Sequence, residues 1–344
     1  MAALLDIPAD LEPMQALLGR TLMRVQSRVA EQLRSDLPPV QRLSRHVERY
    51  HGKMIRPMLT VLAGLACDPR AAEADLADAL VSESHITIAS VCEMVHLATL
   101  VHDDVLDEAD TRRKADTVNR LHGNEAAVIL GDYLFSAAFH LCSSLGDRDA
   151  ALAIAQVGMT LCAGELLQLH HRGNFSLDEP TYFTIVERKT ASLIAAAARL
   201  GARHAGASPD VVERFDRFGS RLGVAFQIQD DLLDLTGEQD IVGKSLGKDL
   251  EKGKLTLPLI HHLAAATPTQ RGRTLLLLEG AEDAHGTRPA ELLAAMETTG
   301  SVAHARATAD RLVDEAREAL TPLHDSPAKR MLMLMADAVV TRAF

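Results

Sequence analysis

The residues that could do chemistry come in two matching sets. His102-Asp103-Asp104-Val105-Leu106-Asp107 and Gln229-Asp230-Asp231-Leu232-Leu233-Asp234 both spell Asp-Asp-x-x-Asp, each behind a long helix-periodic stretch. Residues four apart share a helix face, so Asp103 pairs with Asp107 and Asp230 with Asp234. Like carboxylates one turn apart repel, and acids at a helix C-terminus oppose the macrodipole. A chain that does this twice needs a cation there. Mg²⁺ suits the place, because it takes hard oxygen ligands from a few carboxylates and completes its shell with phosphate oxygens and water. A solvated acidic helix end would explain one such motif. Its recurrence behind a second apolar stretch favours the metal reading.

Basic residues stand close by in sequence. Arg112-Arg113 follow the first acidic motif, and Gly52-Lys53-Met54-Ile55-Arg56-Pro57 sets Lys53 and Arg56 three apart, at a helix start marked by Pro57. Guanidinium forks and ammonium groups suit diphosphate oxygens. Any one of these cations alone is an ordinary surface residue, and only the combination carries the signal. Gly243-Lys244-Ser245 lacks the glycine that a nucleotide P-loop needs five residues earlier, where Glu238 stands, and no strand precedes it. His170-His171 and His261-His262 are adjacent pairs, which do not share a helix face, and read as partly exposed histidines rather than metal ligands. Met331, Met333 and Met335 read as core or interface filler.

The elements that must hold these groups are helices. Helical periodicity predicts elements near 12–34, 39–50, 56–67, 86–108, 124–144, 148–171, 178–201, 209–235, 255–265, 269–279, 288–298, 301–320 and 326–342. Strand signals are nearly absent, aromatics make up 3% of the chain, Trp is missing, and Ala and Leu dominate. The expectation is an all-α fold, one domain over residues 1–344, with about a dozen helices bundled around a central cavity.

Composition narrows the function classes. A net charge of −11 argues against nonspecific nucleic-acid binding, so an anionic substrate must be held by a local basic cluster or by metal. Cys67, Cys92, Cys142 and Cys162 lie far apart with no CxxC pair, which fits a reducing compartment and excludes a zinc knuckle. The first residues carry early acids and no basic segment, so no signal peptide is expected. No apolar run reaches the ~18 residues of a membrane span. The reading is a cytoplasmic protein without a transmembrane segment.

Six segments together resemble one family. They are GKMIRP (52–57), HLATLVHDDVLDEADTRR (96–113), GNEAAVILGDYLF (123–135), GELLQL (164–169), KTASL (189–193) and GVAFQIQDDLLDLTGEQDIVGKSLGKDLEKGKLTLPLI (223–260). From about 40 to 265 the chain is similar to the trans-isoprenyl diphosphate synthases, or polyprenyl synthetases, and most like long-chain members such as octaprenyl and heptaprenyl diphosphate synthases. One departure is visible. Lys114-Ala115-Asp116 stand where the family usually has a Gly and a Pro before Thr117-Val118-Asn119.

The resemblance implies an isoprenoid synthase fold, a homodimer, three Mg²⁺ per active site, and two substrates, isopentenyl diphosphate and an allylic diphosphate. It implies that Asp103, Asp107 and Asp230 ligate Mg²⁺ directly, with Asp104, Asp231 and Asp234 in support. It implies that Arg112, Lys189 and Lys244, and more weakly Lys254, contact the allylic diphosphate. Lys53, Arg56, His96 and Arg113 would hold isopentenyl diphosphate. Thr190 and Gln227 would turn side-chain oxygens toward a developing carbocation. The reaction would be ionisation of the allylic diphosphate, attack by the isopentenyl double bond and loss of a proton, with transient membrane contact for product release.

Product length has its own signal. In this family the growing chain runs past residues preceding the first acidic motif, here Val91, Cys92, Val95, Ala98 and Thr99. Ala98 lies about 7.5 Å down the helix from Asp103 at ~1.5 Å per residue. Short-chain members carry an aromatic side chain at or beside this position, whereas Ala98 and Thr99 are small, and so are Ser136, Ala137 and Ala138 on the helix expected to face them. The family analogy then implies a long product of roughly six to ten isoprene units. Rival readings are a short-chain synthase, an all-helical metal-dependent phosphohydrolase of the His-Asp type, a non-catalytic subunit and a terpene cyclase. The phosphohydrolase leaves the second acidic motif and Lys53/Arg56 unexplained. A non-catalytic subunit would have lost a motif, and a cyclase would lack the basic residues around 53–56.

Overall fold

A computed structural model describes residues 7–50, 52–72, 74–113, 115–236, 252–279 and 288–341. Among the described residues the chain is helical apart from one two-stranded hairpin, as the composition requires. The helices are α1 (Glu12–Gln32), α2 (Pro38–Val47), α3 (Ile55–Ala66), α4 (Ala74–Leu80), α5 (Glu83–Leu106), α6 (Val118–His122), α7 (Asn124–Ser143), α8 (Arg148–His170), α9 (Glu179–Val186), α10 (Ser192–His204), α11 (Pro209–Thr236), α12 (Leu257–Ala265), α13 (Pro268–Glu279), α14 (Arg288–Thr298), α15 (Ser301–Leu320) and α16 (Pro327–Val340). The hairpin pairs β1 (Thr111–Arg112) with β2 (Ala115–Asp116). Periodicity placed most of these within a few residues. It missed α4, α6 and the hairpin, which are too short to show a period.

The chain forms two compact units. The first comprises Met1–Met159, Leu193–Gly219 and Ala319–Leu334, and the second comprises Thr160–Ser192, Ser220–Glu318 and Met335–Phe344.

The first unit is organised on α5. Ser82 caps this helix, its hydroxyl accepting the His85 N–H at 3.3 Å while His85 Nδ1 accepts the Ser82 N–H. α5 packs against α1, α3 and α7. Ile88, Ala89, Val91, Cys92, Met94 and Val95 are fully enclosed, and burial of each larger side chain contributes about 1.5–3 kcal/mol. α3 is as apolar, and every residue from Pro57 to Ala66 is buried. The helix ends at Leu106 with Asp107 as its C-cap, so the core of the unit delivers the first acidic motif to its surface.

One sequence expectation is corrected here. α5, α7 and α8 are each long and apolar enough to cross a membrane by length and composition, the reason being that an isolated charge interrupts an apolar run without making the helix polar. In α5, 78% of the most apolar stretch lies inside the protein; in α7 and α8 the figures are 39% and 33%.

In the second unit, Asp178 caps α9 by accepting the Thr181 N–H at 2.9 Å. The stretch predicted as one helix over 178–201 is interrupted by a π-helical turn, Glu187–Ala191, the kind of wide turn that often marks a functional position. Two glycines make room for it. A Cβ on Gly164 would lie 2.7 Å from the Lys189 backbone N, and one on Gly223 would lie 2.6 Å from Ala191 Cα. Both glycines fall in the GELLQL and GVAFQ segments, so those segments serve close backbone approach. The reading of the 261–262 pair as partly exposed is corrected for His262. It is fully buried, with one ring nitrogen bonded to Thr299 Oγ1 at 2.9 Å and the other to Thr274 Oγ1 at 2.8 Å. Two threonines satisfy its ring, which removes the penalty that would keep a histidine at the surface.

Candidate active site

In the first unit a basic cluster gathers around the start of α3, the middle of α5 and the hairpin. His96 is held well below its ordinary pKa by burial first, then by the charges of Arg56, Arg113 and Arg112. It is therefore neutral near pH 7 and acts as a hydrogen-bonding group among cations. Arg113 is itself lowered by burial and by Arg112, and partly restored by the carboxylate of Glu93, a residue only 2% exposed on α5. Four sequence-predicted groups, Arg56, His96, Arg112 and Arg113, are thus close enough to feel one another. Lys53 is exposed beside them in sequence, between Gly52 and Met54. Gly52 is glycine because the Arg113 guanidinium occupies its side-chain space, where a Cβ would sit 2.1 Å from Nη2.

Three non-glycine residues among those described have positive φ: Met54 (54°), Glu108 (49°) and Arg113 (51°). Each costs on the order of 1–3 kcal/mol. All three border this region: one before α3, one directly after Asp107, and one in the hairpin turn.

The first acidic motif separates by burial. Asp103 and Asp107 are half-buried, while Asp104 is 1% exposed. Asp104 Oδ1 accepts Arg112 Nε at 2.9 Å and Nη2 at 2.5 Å. Its main-chain oxygen accepts the Asn119 amide at 3.2 Å. Tyr50, 1% exposed, lies close enough to Asp104 to feel its charge, and its phenol oxygen accepts the Val118 N–H at 3.2 Å. Burial first, then the Asp104 charge, pushes this phenol up to about 12. The Tyr50 carbonyl accepts the Arg113 guanidinium. Tyr50 therefore holds Arg113 through its carbonyl and sets its phenol beside the middle acid, which Arg112 grips directly. Sequence reasoning missed Tyr50 and Glu93, since a lone tyrosine and a lone acid on an apolar helix carry no spacing signal.

The predicted chain-length residues lie on α5. Ala98 is 1% exposed, and Thr99 is half-buried with its hydroxyl turned onto the His96 carbonyl at 2.8 Å. On α7, Ala137 and Ala138 are buried but Ser136 is exposed, correcting the expectation that all three face α5. Consecutive helical residues are separated by about 100° of rotation, so three in a row cannot share one face.

In the second unit, Asp230 is exposed, Asp234 half-buried, and Asp231 buried at 5% exposure. Both Asp231 oxygens hold protein donors. Tyr182 Oη donates to Oδ2 at 2.7 Å, and Gln227 Nε2 donates to Oδ1 at 2.8 Å. Gln227 Oε1 in turn accepts the Thr190 hydroxyl at 2.8 Å. The π turn carries Lys189 and Thr190, and Lys189 Nζ donates to Gln168 Oε1 at 2.7 Å and pairs with Glu165. Gln168, Tyr182, Lys189, Thr190, Gln227, Asp231 and Lys254 line one cavity of about 90 Å³, joined by Thr256, whose buried hydroxyl has no partner among the described residues. The structure thus brings Lys189, Thr190, Gln227, Asp231 and Lys254 to one cavity. Lys244 lies outside the described residues. Tyr182 is the missed residue here.

Both motifs fit magnesium in the same way. Among the described residues no three His, Cys, Asp or Glu side chains converge to hold a metal ion. Each motif instead offers an outer pair of acids on one helix face, with the middle acid committed to protein partners. A pair of carboxylates leaves most of an octahedral shell to diphosphate oxygens and water, which is how Mg²⁺ is commonly bound.

A family model described as polyprenyl synthetase matches residues 38–296. The chain is 34% identical over 333 residues to octaprenyl diphosphate synthase of Escherichia coli (strain K12), covering 97% of this chain and 99% of that one. It is 33% identical over 326 residues to heptaprenyl diphosphate synthase component 2 of Geobacillus stearothermophilus, covering 95% and 97%. Among solved structures, a polyprenyl synthase from Caulobacter crescentus CB15, complexed with calcium and isoprenyl diphosphate, superposes with a TM-score of 0.86 at 28% identity, covering 97% and 98%.

Proposed function

This chain belongs to the polyprenyl synthetase family, and on that premise we propose how its residues work. It is a prenyltransferase that condenses isopentenyl diphosphate with an allylic diphosphate to an all-trans polyprenyl diphosphate. The observation that carries the site reading is the repeated burial pattern of the two Asp-Asp-x-x-Asp motifs, outer acids accessible and middle acid anchored.

Asp103, Asp107 and Asp230, supported by Asp234, would hold magnesium, three ions on the family resemblance. When bound, the metal neutralises the diphosphate and improves it as a leaving group. Arg112, Lys189, Lys244 and Lys254 bind the allylic diphosphate. Asp104 sets the Arg112 fork for that task, since a bidentate clamp gives orientation as well as charge. Lys53, Arg56 and Arg113 bind isopentenyl diphosphate. His96, neutral among these cations, adds a hydrogen bond without adding repulsion. Thr190 and Gln227 supply preorganised dipoles for the allylic cation. The isopentenyl double bond attacks that cation, and the proton lost goes to the released diphosphate.

The product is long. The octaprenyl and heptaprenyl relatives support this reading, as does the absence of a ring at Ala98 or Thr99. Incubating the pure chain with isopentenyl diphosphate, several allylic primers and Mg²⁺, then sizing the dephosphorylated products, tests the function. Products of roughly six to ten units are expected on the family analogy. Ala98→Phe should shift them to about three or four while sparing the first condensation, because a packed interior cannot place the ring elsewhere. Unchanged products would remove Ala98 from the path.

The assembly is a homodimer with a cytoplasmic location, and residues 1–344 act as one domain. The support for the dimer is apolar surface: Ile129 is 67% exposed on α7, and on α8 Leu152 (55%) and Met159 (68%) stand one heptad apart. A monomer by light scattering at micromolar concentration would contradict it. The relative named as a component favours a second arrangement, pairing with a different chain, which a turnover assay on the pure protein would expose as inactivity of the chain alone.

A further inference from the structure

The reaction scheme gives no task to the Tyr182 phenol on the cavity of the second unit. Tyr182 is one of three tyrosines in the chain, and it is 3% exposed on α9. Its hydroxyl opens a directed series of hydrogen bonds, from Tyr182 Oη to Asp231 Oδ2 (2.7 Å), from Gln227 Nε2 to Asp231 Oδ1 (2.8 Å), and from Thr190 Oγ1 to Gln227 Oε1 (2.8 Å).

The direction follows from the donor inventory. An ionised carboxylate only accepts, so the Gln227 group that meets Asp231 is its NH₂. That choice sets which way the amide is turned, and its oxygen then faces Thr190. An amide oxygen only accepts, so the Thr190 hydroxyl donates its single proton there. What Thr190 then offers the cavity is lone pairs, the end of the dipole that attracts positive charge. A threonine hydroxyl left to itself rotates and presents its proton as readily as its oxygen. The position of the carboxylate decides the rest, and Tyr182, from α9, holds it.

We propose that Tyr182 is a positioning residue: by anchoring Asp231 it sets the Gln227 amide, and through it commits the Thr190 hydroxyl so that an oxygen faces the allylic cation. This deepens the prenyl-transfer reading above and rests on it. The effect is electrostatic preorganisation, made before the charge develops, so it belongs in the chemical step rather than in substrate binding. The same two donors make Asp231 a buttress for α11.

The test is a double-mutant cycle in the full-length protein, with Tyr182→Phe, Thr190→Val and the pair, assayed with isopentenyl diphosphate, a farnesyl primer and saturating Mg²⁺. Tyr182→Phe should lower kcat by about 10-fold to 100-fold, the usual loss when an outer hydrogen-bond partner of a site is removed. KM for both substrates should stay within about twofold. In the Thr190→Val background, where no hydroxyl remains to be oriented, Tyr182→Phe should cost less than about twofold more, because two residues acting through one interaction do not add. Additive losses, or a Tyr182→Phe enzyme at full speed, would overturn the proposal. A loss spread over both KM values would also overturn it, as that is what a merely structural role predicts. Should Tyr182→Phe not fold, Asp231→Asn enters the same cycle. An amide there can donate as well as accept, which releases the Gln227 turn, and the same non-additivity with Thr190→Val is expected. A wild-type chain that makes no prenyl product would sink the reading of the reaction itself, an outcome distinct from an active wild type with an unaffected variant.

Discussion

In the first acidic motif the middle carboxylate, Asp104, is gripped by the Arg112 guanidinium with Tyr50 beside it. In the second, Asp231 is gripped by the Gln227 amide and the Tyr182 phenol. The spelling is the same and both middle acids are buried, yet Asp104 accepts a guanidinium while Asp231 accepts an amide and a phenol. A charged partner suits a place where a diphosphate must be clamped. A neutral, directed partner suits a place where a developing cation must meet oxygen lone pairs rather than another positive charge. On the proposed function, what packs against the central residue would suit the first copy of the pattern to the diphosphate and the second to the developing cation.

The sharpest way to break this comparison is to remove an outer acid from each motif. Asp103→Ala and Asp230→Ala should each lower kcat by about 10²-fold to 10³-fold or more, with circular dichroism and Tm unchanged. Near-normal turnover by either variant at saturating Mg²⁺ would end the equivalence of the outer positions.

The middle acids should differ in stability. Asp104→Ala leaves Arg112 half-buried without its carboxylate and should cost about 3 kcal/mol, whereas Asp231→Ala strands the Tyr182 phenol and the Gln227 amide and should cost about 1–3 kcal/mol. Urea unfolding at constant slope measures both, and an equal or reversed order would mean that the partners do not set the difference.

The basic cluster offers a smaller effect. Lys53→Ala, Arg56→Ala and His96→Ala should raise KM for isopentenyl diphosphate by about 10-fold, the worth of one charge-assisted contact, and move KM for the allylic substrate much less. Parallel shifts in both would mean that the isopentenyl subsite is wrongly placed on this cluster.

Smallest is a pH effect in the substrate-free protein. His96 is depressed below its ordinary value, so between that depressed value and about 6.5 the unfolded chain binds the extra proton. Stability is present above the ordinary imidazole range and lost as pH falls below it. Wild type should therefore lose more Tm than His96→Gln between about pH 7.5 and 5. Identical losses would place His96 in an ordinary environment.

The sequence by itself determined that this protein is all-helical and placed most of the helices, because an Ala- and Leu-rich chain writes its buried faces as a 3.6-residue period. It also singled out Asp103, Asp107, Asp230 and Asp234, because i, i+4 acids are a local pattern with a local electrostatic meaning. Packing alone decided three other things. The middle acids acquired opposite partners through Tyr50, from a turn some fifty residues before Asp104, and Tyr182, from a helix about as far before Asp231; nothing local to either motif announces them. The π turn at Glu187–Ala191 interrupts a stretch whose period reads as one helix, and it depends on Gly164 and Gly223 leaving room for its backbone. His262 became a core residue once Thr274 and Thr299 reached its two nitrogens. A periodic pattern reports which face of an element is apolar, whereas a hydrogen bond between residues far apart in the chain forms only after those elements have packed.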